Sequence, residues 1–434
     1  MTGSRALSTA ARSTNTASDT TPEQVNVDHG ARFGVNYVPG KNWWYSWVDW
    51  DPKAIDADLK AVSSLGMDHI RIHCLWPVFQ PNATYVSDVA LQRLESLLDI
   101  ADQYGLDVIV TVFNGWLSGF DFRPDWVSED MSVFSHEDVL RAQGLLLEAI
   151  AARVASHVRF LGFDLANEPS VIAAQARNRT TSADADRWLS SLLATCEQLA
   201  PGRLHSVGMD HLPWITDQSS FSRATTANTG TVTAIHAWSY FTGALERYGP
   251  SGVGTLHLPE YMLELAKAYQ DDPDRPVWLQ ETGVALEWMT AQEREAFVEQ
   301  TIESSLSVPS LWGITWWCSH DIDRRFSGFA ELEYDLGLLT VENHIKPLGA
   351  SVRDAILAAR AASRVPTRRS TALVLPRNTI PDLTFADRFF TMVEKGIPTT
   401  IVLEERVADS DHLAGRGIET IETGAFTEEY QRDI

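Results

Sequence analysis

Eight short apolar runs, each separated from the next by a stretch with helical periodicity, constrain this chain more than any other feature. They lie at 33–37, 69–74, 107–113, 160–166, 204–208, 232–236, 277–281 and 313–317. Runs of about four to eight residues bounded by Gly, Pro or polar turns read as strands buried on both faces, as parallel sheets require. Between them, apolar residues recur at helical spacing: Ile55, Leu59, Val62 and Leu65 ahead of Gly66, then Leu91, Leu94, Leu97 and Leu98 ahead of Gly105. A glycine just past the last periodic residue supplies the left-handed cap that ends a helix. Eight strand–helix repeats are the number that closes a (β/α)8 barrel, so the expected fold is α/β, a TIM barrel over 29–363.

The flanks read differently. Residues 1–28 are mostly Ser, Thr, Ala and Asn without an apolar core, which predicts a disordered or extended tail and no export signal. Arg364-Val-Pro-Thr-Arg-Arg-Ser370 is a polar linker. Beyond it, strands at 371–376, 399–404 and 417–421 and helices at 382–396 and 408–415 make a small β-α-β-α-β domain over 364–434. No Gly-x-Gly-x-x-Gly follows its first strand, so no nucleotide site is expected there. Its expected role is to pack on the barrel or to mediate homo-oligomerisation.

Charge and cysteine content narrow the function. The chain carries 58 acidic and 35 Lys and Arg residues, a net charge of −23. Such a surface repels nucleic acid and anionic membranes but suits a neutral substrate such as a sugar. No apolar stretch approaches the roughly 18 residues of a membrane helix. Cys74, Cys196 and Cys318 form no close pair, which argues for a reducing compartment and against a disulfide framework or zinc cluster. Together with the missing export signal this predicts a cytoplasmic protein. His69 and His73 are four apart on a strand, facing one side without forming a chelate. The 15 Trp exceed what packing needs; about half are expected to fill core, and a flat indole suits the C–H face of a sugar ring. Among Trp43, Trp47, Trp76, Trp116 and Trp288, stacking platforms and rim packing are not distinguished by sequence.

The chemistry of a barrel sits at the C-terminal ends of its strands. Two such ends carry glutamate: Glu168, closing Phe160-Leu-Gly-Phe-Asp-Leu-Ala-Asn-Glu-Pro169, and Glu281, in Val277-Trp-Leu-Gln-Glu-Thr-Gly283. Two carboxyls from distant strands suit the acid and the nucleophile of glycoside hydrolysis. The acid must be protonated, and a neighbouring carboxylate raises its pKa; the nucleophile must be ionised, which calls for a fixed cation. Arg71, in Ile70-Arg-Ile-His73, is the candidate cation, with a structural salt bridge as the alternative. Asn167 is placed to hold a sugar 2-hydroxyl. Long segments at 38–50, 169–185, 237–259 and 318–344 follow strands one, four, six and eight and are expected to wall a pocket rather than leave a trough. The last holds Glu331, Glu333 and Asp335, by default a solvated face, alternatively a wall touching substrate hydroxyls.

The strand-four Asn-Glu-Pro, the strand-seven Glu-Thr-Gly and the strand-two Arg together resemble the clan A retaining glycosidases, most closely glycoside hydrolase family five, over residues 31 to about 350. The resemblance implies that Glu168 is the acid/base, Glu281 the nucleophile, and Asn167 and Arg71 their partners. It further implies that His236, with Trp238 or Tyr240, stands for the family's strand-six His-x-Tyr, and Trp317 (rather than Trp316) for the tryptophan under the sugar. On strand three this chain has Asn114-Gly-Trp116 where the family often has His, so Asn114 and Trp116 are expected substrate contacts. Phe33-Gly-Val-Asn-Tyr-Val-Pro39, Trp43-Trp-Tyr-Ser-Trp47 and Leu75-Trp-Pro-Val-Phe-Gln-Pro81 are similar to the bacterial β-mannosidase branch, with Trp76 as a further contact. That branch implies an intracellular retaining exo-β-mannosidase for small oligosaccharides, including mannosyl-β-1,4-N-acetylglucosamine, with no metal or organic cofactor. The rival readings are an endo-acting mannanase or endoglucanase, a transglycosidase, and a sugar-binding protein on a catalytically retired barrel.

Overall fold

The computed structural model describes residues 30–114, 116–178, 180–362 and 366–423; the tail expected at 1–28 lies outside them. Each of the eight apolar runs forms a strand: β1 Arg32–Asn36, β2 His69–His73, β3 Asp107–Phe113, β4 Phe160–Asn167, β5 Ser206–Gly208, β6 Thr233–His236, β7 Val277–Thr282 and β8 Leu311–Trp317. They pair in parallel in the order β5-β4-β3-β2-β1-β8-β7-β6. The His236 N–H donates to the Met209 carbonyl (3.1 Å) and that of Thr231 to the His205 carbonyl (2.8 Å), joining β6 to β5 and completing the ring. Inside the barrel, Ile109, Leu204, Val232, Ala234, Trp278 and Trp312 form one apolar cluster. Two polar groups among them share one partner, the Thr315 hydroxyl lying 2.8 Å from both His69 Nε2 and Trp278 Nε1.

Besides shorter turns of helix, one helix ahead of each next strand completes a strand–helix repeat: α1 Pro52–Ser64, α2 Asp88–Gln103, α3 Glu137–Val154, α4 Ser182–Leu199, α5 Arg223–Asn228, α6 Leu258–Tyr269, α7 Ala291–Leu306 and, after the last strand, α8 Pro347–Ala361. α1 and α2 begin ahead of their apolar repeats because Asp51 and Ser87 cap them by accepting backbone N–H bonds. Gly66 and Gly105 follow with φ of 82° and 70°, the left-handed geometry that a Cβ disfavours. Strand register then sets a level at the C-terminal ends. Asn36 pairs with both Arg71 and Trp317, Asn167 with Gly208, and His236 with Glu281.

The C-terminal residues form a second, three-stranded parallel sheet of β9 Thr371–Leu375, β10 Thr399–Leu403 and β11 Thr420–Glu422, in the order β10-β9-β11, with α9 Leu383–Glu394 and α10 Ser410–Gly415. The last strand starts later than the apolar pattern suggests. Gly417, with φ 66°, belongs to the turn that closes α10, its N–H donating to the Ala414 carbonyl. This unit packs on α6. The Tyr261 ring meets Phe385, Phe389 and Phe390, and its hydroxyl donates to the Pro381 carbonyl (2.6 Å). Beside that apolar contact, buried Arg369 reaches Glu260 at 2.7 Å and Glu264 at 3.0 Å. Removing one partner of a buried ion pair strands the other charge. Arg369→Ala is therefore expected to lower the unfolding free energy by about 3–5 kcal/mol, read as a fall in the urea midpoint.

Candidate active site

Arg71 is the side chain around which the C-terminal mouth is assembled. It is fully buried, and every part of its guanidinium is engaged. Nε donates to Asp164 Oδ2 (2.8 Å), Nη1 to Asn36 Oδ1 (2.9 Å) and Glu281 Oε1 (2.6 Å), and Nη2 to Asn167 Oδ1 (2.7 Å). Asp164 is fixed in turn by the Thr111 hydroxyl (2.8 Å) and the Ser206 hydroxyl (3.1 Å). A buried charge is tolerable only when paired and hydrogen-bonded in this way. The space it fills explains the glycine that ends β5. A Cβ on Gly208 would lie 2.5 Å from Arg71 Nη2 and 2.9 Å from Gln280 Oε1.

Glu168 leaves β4 with φ 48° and ψ 53°, an uncommon left-handed backbone for a residue with a side chain, and its N–H is held by the Gly208 carbonyl (2.8 Å). A Glu168 oxygen, a His236 nitrogen and a Glu281 oxygen all lie within 4.8 Å of one another. The protons between them follow from a chain of hydrogen bonds. Gln280 Nε2 donates to the Ser206 hydroxyl (3.3 Å), which leaves Gln280 Oε1 to accept from His236 Nε2 (3.0 Å). Burial pushes the His236 pKa down, so the ring is neutral and its proton sits on Nε2. Nδ1 is then a bare acceptor, 3.0 Å from Glu168 Oε1, and Glu168 supplies the hydrogen. Its pKa agrees: burial, then the charge of Asp210, push it up to about 8 against the pull of Arg71. Burial also raises Glu281, but the Arg71 charge draws it back, and Trp238 Nε1 donates to its Oε2 (3.3 Å). The arrangement offers one proton donor and one clamped carboxylate across a single gap.

The model of the family described as Cellulase (glycosyl hydrolase family 5) matches residues 28–315. The chain belongs to glycosyl hydrolase family 5. Among solved structures, a GH5_18 protein from Streptomyces cattleya in complex with GlcNAc is 40% identical, with a TM-score of 0.87, covering 90% of this chain and 97% of that one. A Glu-to-Ala variant from the same organism, in complex with Manβ1-4GlcNAc, superposes equally well at 40% identity and TM-score 0.87, over 90% and 98% of the two chains. A GH5_18 variant from Bifidobacterium longum subsp. longum, also with Manβ1-4GlcNAc, is 32% identical with a TM-score of 0.83 over 90% and 95%. A curated relative, cellodextrinase A of Ruminococcus flavefaciens, is 24% identical over 130 residues, 29% of this chain and only 38% of that protein's length.

Within this family-5 barrel the expected contacts are placed unevenly. Trp317 faces the mouth, its ring edge-on to His73 at 5.9 Å, whereas Trp316 packs outward on Phe297 of α7. Trp238 stands beside Glu281; Tyr240 does not. Tyr240 is 49% exposed on the rim and lies flat on Trp288 (4.4 Å, 5° between planes). The chain turns directly after Trp238, with the Thr242 N–H bonded to the Trp238 carbonyl, so two further residues along it is already outside. Trp76 is also corrected. It is 2% exposed between Phe113 and Trp126 with Nε1 on Gln80, because the short helix Trp76–Phe79 folds it under the wall. Asn114 is buried beneath it, Oδ1 accepting from the Trp76 N–H (3.4 Å). Trp116, half-buried in a small hairpin, offers its carbonyl to Asn167 Nδ2 (2.7 Å).

Asp164, Asn36, Gln280 and Asp210 are the residues that sequence reasoning passes over. Asp164 carried the clearest signal, since a charged residue inside an apolar strand needs a buried partner. The three cysteines are buried and unpaired, and burial raises each thiol. Glu168, His236 and Glu281 are the group of potential metal ligands found among the described residues. Arg71, 2.6 Å from Glu281, already brings the positive charge a cation would supply.

Loops after β1, β3 and β8 meet over one side of the mouth through aromatic rings. Trp43 contacts Phe329 (5.1 Å), Phe122 (5.7 Å) and Phe120 (6.1 Å), and Phe120 contacts Phe329 (4.9 Å). The 3-10 turn Glu331–Asp335 extends this wall, and Arg324 binds both its outer acids, Glu331 and Asp335, at 2.6 Å. Glu333 between them has the Ser118 hydroxyl for company. Burial and the charges of Glu281 and Glu168 push its pKa up to about 7. One substitution tests the packing around Arg71. Gly208→Ala displaces the guanidinium, and a shift of about 1 Å costs roughly 100-fold in rate; kcat/KM is expected to fall at least that far on a glycoside substrate.

Proposed function

We propose that the protein is a retaining exo-β-mannosidase that removes terminal mannose from small oligosaccharides such as Manβ1-4GlcNAc. The observation that carries the mechanism is the spacing of the two carboxyls. Retaining enzymes hold theirs roughly 5–5.5 Å apart and inverting enzymes about 6.5–9.5 Å, and one oxygen of Glu168 lies within 4.8 Å of one of Glu281, on the retaining side. In the first step a Glu281 oxygen bonds to the anomeric carbon as the bond to the leaving oxygen breaks, and Glu168 gives that oxygen its proton. In the second, water attacks the same carbon, the bond to Glu281 breaks, and Glu168 takes the proton back. His236 and Arg71 hold the two carboxyls in these states. Asn167 presents Nδ2 toward the 2-hydroxyl, and Trp317 floors the sugar.

Mannose as the sugar is supported by the two GH5_18 proteins that bind Manβ1-4GlcNAc, which share 40% and 32% of their residues with this chain. Exo action is supported by the wall of Trp43, Phe120, Phe329 and Tyr334, built from the loops after β1, β3 and β8. Glu333, with no cation to pair with among the described residues, is placed to accept hydrogen bonds from hydroxyls of the terminal sugar. No cofactor takes part in this scheme. Three free, buried cysteines favour a reducing cytoplasmic setting, and no helix of the described residues is long and apolar enough to cross a membrane.

Three measurements test this reading. A 2-deoxy-2-fluoro-β-mannosyl substrate with a good leaving group is expected to label Glu281, and an adduct mapped elsewhere overturns the assignment. Proton NMR of fresh hydrolysate is expected to show β-mannose first, as the only sugar released from the non-reducing end; released oligosaccharides point to endo action instead. Glu333→Ala is expected to lower kcat/KM on mannosides by roughly 10–100-fold, the worth of hydrogen bonds to a charged group.

A further inference from the structure

Asp210 lies just past the end of β5 and is 2% exposed. Its Oδ1 accepts two hydrogen bonds, from the Ser170 hydroxyl (2.5 Å) and from the Leu212 N–H (2.9 Å). Its Oδ2 is buried and makes no hydrogen bond among the described residues. Ser170 sits two residues past Glu168, in the helix Pro169–Ala174 that Glu168 opens. The segments after β4 and β5 are thereby tied through one carboxyl, half of which is idle. An unsatisfied carboxyl oxygen in a closed site costs free energy, and nearby groups of the ring are spent: Asp164 on Arg71, Thr111 and Ser206, and Asn167 on Arg71 and Trp116.

We infer that Asp210 is a positioning residue for the reaction, its idle Oδ2 serving as a fixed negative charge that keeps the proton on Glu168 until the leaving oxygen takes it. The inference rests on the assignment of Glu168 as acid/base above. When Glu168 has given its proton to the glycosidic oxygen, its new charge is opposed by that of buried Asp210. That repulsion favours the second step, in which Glu168 recovers a proton from the attacking water as the water oxygen bonds to the anomeric carbon. Asp210 itself exchanges no proton.

Other groups act on the same carboxyl. Arg71 from β2 opposes the effect, and neutral His236 from β6 accepts the Glu168 hydrogen. Glu281 from β7 and Glu333 from the last loop add negative charge. His211, beside Asp210, is pushed down by burial and brings no counter-charge. Among these, the charge of Asp210 is second only to burial in raising Glu168.

Asp210→Asn is the discriminating variant, because its Oδ1 keeps both accepted bonds while an uncharged NH2 replaces Oδ2. The readout is kcat/KM against pH, which reports the first step, for two aryl β-mannosides. With p-nitrophenyl mannoside the alkaline limb is expected to move down by about one pH unit or more, a tenfold loss above the limb. With 2,4-dinitrophenyl mannoside, whose leaving group needs no proton, the profile is expected to stay as in the wild type. Asp210→Ser should give the same pair of results if the Asn variant does not fold. An unmoved alkaline limb, or an equal loss on both substrates at every pH, overturns the proposal. Carbon-13 NMR of glutamate-labelled enzyme, with Glu168→Gln to assign the signal, tests it without kinetics. The Glu168 midpoint is expected near 8 in the wild type and lower in Asp210→Asn; an ordinary carboxyl midpoint in the wild type also overturns it. If the wild type cleaves neither mannoside, the activity reading fails, and the NMR titration still decides the role of Asp210.

Discussion

A guanidinium sealed inside a barrel has no water to fall back on, so each of its donors dictates the position of an acceptor. Arg71 meets Asp164, Asn36, Asn167 and Glu281 at 2.6–2.9 Å, from β4, β1, β4 again and β7. Stripping water from such a cation is so costly that losing a single partner typically costs about 3–5 kcal/mol. The cluster is thus a poor source of net stability and a strong source of specificity. It fixes the register of three strands at the level where the chemistry occurs. It forces glycine at position 208, because the volume a Cβ needs is already occupied. Through Ser206 and Gln280 it also reaches His236, so the ion pair on one side of the mouth decides which ring nitrogen carries the proton on the other.

The two glutamates are chemically identical, and their surroundings alone favour different protonation states. Glu281 is met by Arg71 and the Trp238 N–H, both of which favour its charged form. Glu168 is met by a lone pair on His236 and by the charge of Asp210, both of which favour its protonated form. Burial pushes both pKa values up and does not distinguish the pair; the donors and the second carboxyl do. Pairs of titratable groups pushed apart in this way are the pattern an acid and a nucleophile need, the roles proposed for Glu168 and Glu281.

Much of this was legible in the chain. A buried parallel strand leaves an apolar run that needs no partner sequence to be noticed, and all eight runs mark strands of the barrel. Glu168 and Glu281 are legible because a carboxylate ending such a run has no packing reason to be there. Position along the strand also places Arg71 in the interior. What the sequence hides is direction after a strand ends. Tyr240 and Trp238 are two residues apart, and a single turn sends one to the rim and the other to Glu281. Trp76 looks like a platform until the short helix that folds it inward is known. Asp210 looks like a turn residue, and only its idle buried oxygen sets it apart. Strand residues inherit their facing from a period of two, whereas loop residues inherit theirs from local hydrogen bonds that composition does not reveal.

The wall beside Trp317 follows from the same distinction. Segments after β1, β3 and β8 carry no shared ladder, so side chains must hold them to one another. Edge-on and tilted contacts among Trp43, Phe120, Phe122 and Phe329, at 4.9–6.2 Å between centroids, do this without needing buried polar partners. Ring pairs of this kind contribute roughly 0.5–1.5 kcal/mol each beyond their buried area, enough in number to keep three loops together. An apolar wall offers sugar hydroxyls nothing, however, and a polar substrate must lose its water to enter. Glu333 is the acceptor proposed for those hydroxyls. Arg324 binds the acids on either side of it and leaves it without a cation of its own among the described residues. An acceptor already satisfied by arginine has little to offer a hydroxyl, whereas one held among carboxylates gains by meeting a donor. The aromatic contacts therefore set the shape of the cavity, and the arrangement of charge around Glu333 sets what can occupy it.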